Sequence, residues 1–442
     1  MTAARDLLRT AVLATNPYWP FTHCNRWPYE GALYTFVRAL RTRPEIRSIY
    51  LRVPRQDAWI PGLSDIDLTL VLQGGMSAER EYDLLTFFWK TYARLKCLFP
   101  MLGEVEILDE AEVSPWLMWT LADAHGPSWT LLHGQPDQHV LGAHSPHWRR
   151  RALITASWIY RVHLPPCLAQ PDSSLRRHDI LRRVRKILRL LEPILSEADQ
   201  SHLAVPAQGL DPAELVAGSL KALEAAVTHV TSIGPRHGPP TERRDSVVTT
   251  SGGRIMLVVD DGLDREALAG RLRSLWSRLG SSGAPLVLPH CLFAYLVRHC
   301  EPKDYGTLIE GGQVMEGPHP LADIAPPGRE EFAAHAMDRI FHLPIFVRGA
   351  ELFLRPLSAT SIGNQLNSAL AAILFLRNGG ILPFPNKGDE RWRNELPQYV
   401  TLFEEVQVLL REHRPQAAHR AAFGLVRSIL RDARDLMARD RP

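Results

Sequence analysis

Gly62-Leu63-Ser64-Asp65-Ile66-Asp67-Leu68-Thr69-Leu70-Val71-Leu72 is the stretch on which the reading of this chain turns. Ile66 to Leu72 alternates and then becomes continuously apolar, the pattern of a central strand buried on both faces. Gly74-Gly75 ends it. Asp65 and Asp67 are two residues apart, so on a strand both carboxylates project from one face. Two like charges so placed repel unless something neutralises them. Hard oxygen donors of this kind suit Mg²⁺, and a pair of such ions clamps the attacking and leaving oxygens of a phosphoryl transfer.

The flanks give an α/β unit. Residues 29–42 carry Leu33, Phe36, Val37 and Leu40 at helical spacing. Ser48 to Leu51 reads as a strand. Ser77 is an N-cap for a helix running to about Leu98, with Glu79 and Glu81 favouring its dipole. Gly103 to Leu108 is a further strand, residues 109–121 a helix, and Trp129 to Leu132 a short strand. Helix, strand, strand, helix, strand makes a mixed sheet. A charged residue on an apolar strand needs a reason. Glu106, between Val105 and Ile107, is therefore the candidate third acid, with Glu104 on the same face as the alternative.

From about residue 144 the chain becomes mainly helical, over 147–163, 174–197 and 211–231. Gly234 to Pro240 is a Gly/Pro-rich linker. A hairpin follows over 246–259, a helix over 263–279 and an apolar segment over 285–297. Helices return at 329–342, 358–377, 394–412 and 415–438. No internal repeat is apparent. The expected organisation is an α/β domain over 1–140, a helical domain over 141–240, a small α/β segment over 241–325 and a C-terminal helical domain over 326–442.

With 442 residues the chain is too long for one ordinary core. Apolar residues at 45% and a formal net charge of +3 fit a globular protein and argue against one built mainly to hold nucleic acid. Five irregularly spaced cysteines with no Cys-x-x-Cys pair suggest neither a zinc site nor a disulfide framework. Neither a signal peptide nor a membrane span is expected, and the reducing cytoplasm is the expected home. The basic helix over 174–189 reads as a solvated face, with an RNA-binding patch as its rival. Arg414 to His419 has an Arg-x4-His spacing attributable to chance. Asp260-Asp261 reads as a turn, with Asp264 capping the next helix.

Pro61-Gly62-Leu63-Ser64-Asp65-Ile66-Asp67-Leu68, followed by a helix and then Val105-Glu106-Ile107, resembles the DNA polymerase β-type nucleotidyltransferase superfamily. The resemblance covers about residues 29–135. It implies a nucleotidyltransferase domain, two Mg²⁺ ions, an NTP donor and loss of pyrophosphate. Asp65 and Asp67 would then hold both metals, and Glu106 the catalytic one. Gly62 and Ser64 would form the approach turn near the phosphates. The acceptor stays open among a small molecule, a protein hydroxyl and RNA. One departure stands out. Where the family has Gly-Ser, this chain reads Leu51-Arg52-Val53-Pro54-Arg55, so Arg52 and Arg55 are the candidates to hold phosphate by side chain. The alternative is a degenerate member of the fold that binds or regulates without catalysis.

Overall fold

The computed structural model describes residues 11–16, 18, 20–52, 61, 65–119, 129–137, 148–168, 174–204, 211–231, 245–249, 255–279, 286–300, 313–322, 324–354, 359–380 and 390–439. In chain order its main elements are α1 (Trp27–Leu40), β1 (Ile46–Leu51), β2 (Ile66–Leu72), α2 (Ala78–Leu98), β3 (Leu102–Asp109), α3 (Glu110–Trp119) and β4 (Thr130–Gly134). Next come α4 (Trp148–Trp158), α5 (Ser174–Glu197), α6 (Pro212–Val230), β5 (Ser246–Thr249), β6 (Ile255–Val259), α7 (Arg265–Leu279), β7 (Leu286–Pro289), α8 (His290–Tyr295) and β8 (Gln313–Glu316). The chain closes with α9 (Arg329–Phe341), α10 (Leu343–Arg348), α11 (Ala350–Leu354), α12 (Ala359–Arg377), α13 (Pro397–Arg411) and α14 (Pro415–Arg439).

These elements form two compact units. One joins residues 1–144 to 336–442, and the other is 145–335. The four segments read from the sequence therefore regroup. The C-terminal helices do not make a domain of their own, because α10 packs on β3 while α11 and α14 pack on α2. The helices of 148–230 likewise share a unit with the second sheet, so the linker at 234–240 separates no compact units.

In the first unit the sheet runs β3-β2-β1-β4. β1 is antiparallel to β2 and β4, and β2 is parallel to β3. The mixed sheet expected from the sequence is present. One face, with Ile49, Leu51, Leu68, Leu70 and Ile107, buries against Phe36, Phe88 and their neighbours on α1 and α2. The other face, with Tyr50, Val71 and Leu108, packs against Trp116, Trp129 and Ile345. Both faces are apolar, which is why β2 lacks simple alternation past Asp67.

A buried ion cluster fixes the C-terminal helices to this unit. Arg348, at the end of α10, donates from Nε to Glu81 at 3.0 Å and also pairs with Glu112. All three side chains are almost wholly buried. Trp89 Nε1 donates to the Arg348 carbonyl at 2.8 Å, and His419 of α14 lies 3.4 Å from Glu81. Burial opposes the charge on Glu81, but Arg348 and His419 hold its carboxyl at about 2. His419 thus belongs to packing, as the discounted Arg414–His419 spacing implied.

The second unit carries its own sheet, in the order β7-β6-β5-β8. Its cover includes α6, which packs on α7, α8 and β7. Tyr160 donates its buried hydroxyl to the Val287 carbonyl of β7 at 2.6 Å. Among the described residues no helix is long and apolar enough to cross a membrane.

Candidate functional site

Of the sequence-predicted acids, Asp65 immediately precedes β2, Asp67 is its second residue and Glu106 lies midway along β3. Asp67 falls on the face of β2 that carries Thr69 and Val71, and Glu106 opposes Thr69 in the register. Between Ile66–Leu102 and Leu68–Val105, two steps along β2 match three along β3. The result is a β-bulge around Gly103 and Glu104, a feature that re-aims side chains near sheet ends. Asp67 Oδ1 accepts the Glu104 N–H at 2.9 Å, satisfying the amide that the bulge leaves outside the ladder.

Gly103 makes this crowding feasible. A Cβ there would lie 2.2 Å from Asp67 Oδ1 and 2.9 Å from the Asp65 Cβ, closer than any side chain tolerates. The two aspartates therefore rest against β3 only because position 103 has no side chain.

Arg52 supplies the positive charge. It follows β1, and its backbone N–H donates to the Asp67 carbonyl at 3.0 Å. Its guanidinium reaches across the sheet to Glu106 at 2.6 Å and Glu104 at 3.4 Å. Arg52 and Glu106 are 8% and 12% exposed, whereas Glu104 is 85% exposed, which decides that Glu106 is the inner partner. Asp65 is exposed and Asp67 half-buried. Four carboxylates thus share one end of the sheet with one buried arginine.

Neighbouring groups register that negative charge. Tyr92 of α2 donates its hydroxyl to the Gly103 carbonyl. Burial first, then Asp67, Asp65 and Glu104, push that phenol well above its ordinary range. Lys96 lies one turn on, its Nζ 3.4 Å from the Tyr92 hydroxyl. His342 Nδ1 sits 3.1 Å from Asp338 Oδ1. Burial works against its charge, but Asp338 and, more weakly, Glu106 raise the imidazole above its ordinary value.

Tyr92 reads in sequence as one more apolar position on an amphipathic helix. His342 lies more than two hundred residues from the acids. Neither carries a local signal linking it to them. The small residue two positions before Val105 was the available clue to Gly103.

Of the predicted residues, the structure brings Asp65, Asp67, Glu106 and Arg52 to one end of one sheet. Gly62, Ser64 and Arg55 lie outside the described residues, as do Val53 and Pro54. The three acids do not converge on a point. Among the described residues, the trio whose ligand atoms all lie within 4.8 Å of one another is Glu224, Asp261 and Cys291 in the second unit. That trio has a structural explanation. Asp261 Oδ1 accepts the Cys291 N–H at 2.8 Å, at the start of α8. Glu224 accepts from Gly262 N at 2.6 Å and from Lys221 Nζ at 2.6 Å. Burial pushes the Cys291 thiol far up, favouring its protonated form. The turn reading of Asp260-Asp261 fits this arrangement, and Asp264 caps α7 by accepting from Ala267 N at 2.8 Å.

A polar cleft lined by Ile46, Arg47, Gln73, Gly74, Glu110 and Gln135 lies at the other end of β1 and β2. Arg47 is spent there on Glu110. Comparison with family models, with curated proteins and with solved structures finds no match for this chain.

Proposed function

We propose that the acidic end of the first sheet is a site of Mg²⁺-dependent nucleotidyl transfer, with an NTP as donor. The observation that supports this most is the placement of Asp65, Asp67, Glu104 and Glu106 on one sheet end, with Gly103 kept bare so that the aspartates fit. The donor set is all hard oxygen, with Asp65 and Glu104 exposed to solvent. Such donors fit a divalent cation.

Asp65, Asp67 and Glu106 would hold Mg²⁺, which when bound supplies positive charge to the transferring phosphoryl group. Glu106 first has to release Arg52. The guanidinium, freed at the same sheet end, offers a planar fork to the triphosphate. Glu106 accepts the proton of the acceptor hydroxyl, and the bare Gly103 lets Asp67 keep its orientation by accepting the Glu104 N–H. Catalysis here is mostly positioning and charge stabilisation. The acceptor is a small molecule, a protein hydroxyl or an RNA end.

Incubation with each α-³²P-labelled NTP and cell extract identifies donor and acceptor class. Asp67→Asn is expected to lower label transfer by about a hundredfold or more, since several kcal/mol of charge stabilisation depend on the ion. Equal transfer by wild type and variant rules the mechanism out.

One observation favours a second reading. The 2.6 Å pair with Arg52 already gives Glu106 Oε1 a cationic partner without any ion. A protein that keeps that pair permanently is a binding or regulatory module on the same scaffold. Isothermal titration with each NTP and Mg²⁺, beginning with ATP and GTP, separates the two, because the enzyme must bind its donor.

A further inference from the structure

We infer that the chain carries one α/β module twice, and that the second copy has lost the acidic side chains and serves as a non-catalytic scaffold. The duplication rests on geometry alone. Only the word non-catalytic rests on the function proposed for the first sheet.

The two sheets have the same strand order, read as β3-β2-β1-β4 and β7-β6-β5-β8. They have the same senses: antiparallel for β1/β2 and β5/β6, parallel for β2/β3 and β6/β7, antiparallel for β1/β4 and β5/β8. They also share an irregularity. The β1/β4 register slips between Ile49–His133 and Tyr50–Leu131, and the β5/β8 register slips at the same step, between Val247–Glu316 and Val248–Val314.

Each sheet then has a glycine at positive φ closing over the first strand. Gly134 (φ 88°) and Gly317 (φ 82°) would place a Cβ 1.9 Å from the Arg47 carbonyl and 2.2 Å from the Asp245 carbonyl. The next residues, Ser48 and Ser246, are both buried.

The turn after the second strand matches residue for residue. Ser48 pairs with Val71, and Ser246 with Val258. Gly262 (φ 80°) stands as far past Val258 as Gly75 (φ 79°) stands past Val71. Asp264 stands as far past Gly262 as Ser77 past Gly75. Both cap the following helix, accepting from Ala267 N at 2.8 Å and Arg80 N at 3.3 Å. The helix after the third strand starts at the same register point, Glu110 after Asp109 and His290 after Pro289, where Asp109 and Pro289 oppose Leu72 and Val259. Its second amide is bound by a carboxylate in both copies, Ala111 N by Asp109 at 2.7 Å and Cys291 N by Asp261 at 2.8 Å.

This register shows what the second copy lacks. Glu106 opposes Thr69; the matching pair is Leu286 opposite Met256. The positions matching Asp65 and Asp67 are Gly252 and Arg254 in sequence and lie outside the described residues. The buried Glu81 and Glu112 become Leu268 and Leu292, both fully buried. Turns, caps and the register slip beside the fourth strand are kept, while the carboxylates of the acidic end and of the ion cluster are replaced. Such a pattern leaves the second sheet the task of supporting its helices.

Two measurements on the full chain test this. In a crystal structure, β5–β8 are expected to superpose on β1–β4 with Gly262, Asp264 and Gly317 on Gly75, Ser77 and Gly134. Any other strand order or a shifted register overturns the duplication. In an electron paramagnetic resonance titration with Mn²⁺, wild type and Glu224→Gln are expected to bind alike, and Asp67→Asn to lose saturable binding. Saturable binding retained by a folded Asp67→Asn overturns the non-catalytic assignment. A wild type that binds no Mn²⁺ removes the function proposed for the first sheet, and the duplication then stands or falls on the crystal structure.

Discussion

At matching places in two similar frameworks, the first unit buries Glu81 and Glu112 around Arg348 while the second buries Leu268 and Leu292. Both arrangements complete a core. The apolar one needs only shape. The ionic one must recover the desolvation of three charges through close hydrogen bonds, which a buried pair barely achieves. The difference teaches that the fold itself does not require the charges. They belong to the copy that also keeps an acidic end, where α10 carries Arg348 and lies next to β3.

The largest test of that contrast removes its centre. Arg348→Met strands two buried carboxylates and is expected to cost about 3–5 kcal/mol in denaturant unfolding. Arg348→Met with Glu81→Leu and Glu112→Leu imitates the second unit and is expected to recover most of the loss. A triple variant as unstable as the single one breaks the equivalence.

Acid separates the units next. His163 and His299, both in the second unit, are held down to about 4. Burial is the main cause, joined by Arg183 and Lys186 for His163 and by Arg150 and Arg298 for His299. Folded, they bind fewer protons than unfolded, so stability falls as pH drops from about 6.5 towards 4. In the first unit His342 is shifted upward, so its contribution is gained above that range, as pH falls through the raised value, and is fully present below about 6.5, while Glu81 loses its contribution only below about 4.5. Hydrogen exchange at pH 7 and pH 5, corrected for intrinsic rates, is expected to show protection falling first over 145–335. Equal loss in both units contradicts the assignment.

The smallest effect sharpens the likeness instead. Ser77→Ala and Asp264→Ala are each expected to cost about 1 kcal/mol, because each leaves one helix amide without its acceptor. Markedly unequal losses in thermal melts show that the two caps do not do the same work.

Much of this was legible in the residues. Ile66–Leu72 and Ala78–Leu98 follow from periodicity, from the Gly74-Gly75 stop and from the Ser77 cap. Asp65, Asp67 and Glu106 stand out as charges on apolar strands. The duplication did not show. Its shared features are backbone conformation, register and capping, which Ser and Asp or Leu and Val satisfy equally, so the sequences diverged while the geometry stayed. β8 was missed because Gln313–Glu316 is short, mostly exposed and lacks apolar alternation. The role of Arg52 as partner of Glu106 was hidden because an ion pair across a sheet leaves no trace in linear spacing.

The insertion of 145–335 within the first unit sets an order of events during synthesis. That inner unit is continuous, so all its parts have left the ribosome while the sheet of β1–β4 still awaits α10 and α14. The part of the molecule encoded later is thus the first able to close, and the acidic strands, covered early on one face by α1 and α2, gain α10 last. Contacts such as Trp89 to Arg348 span most of the chain, which makes the emerging N-terminal segment the one most in need of chaperone protection.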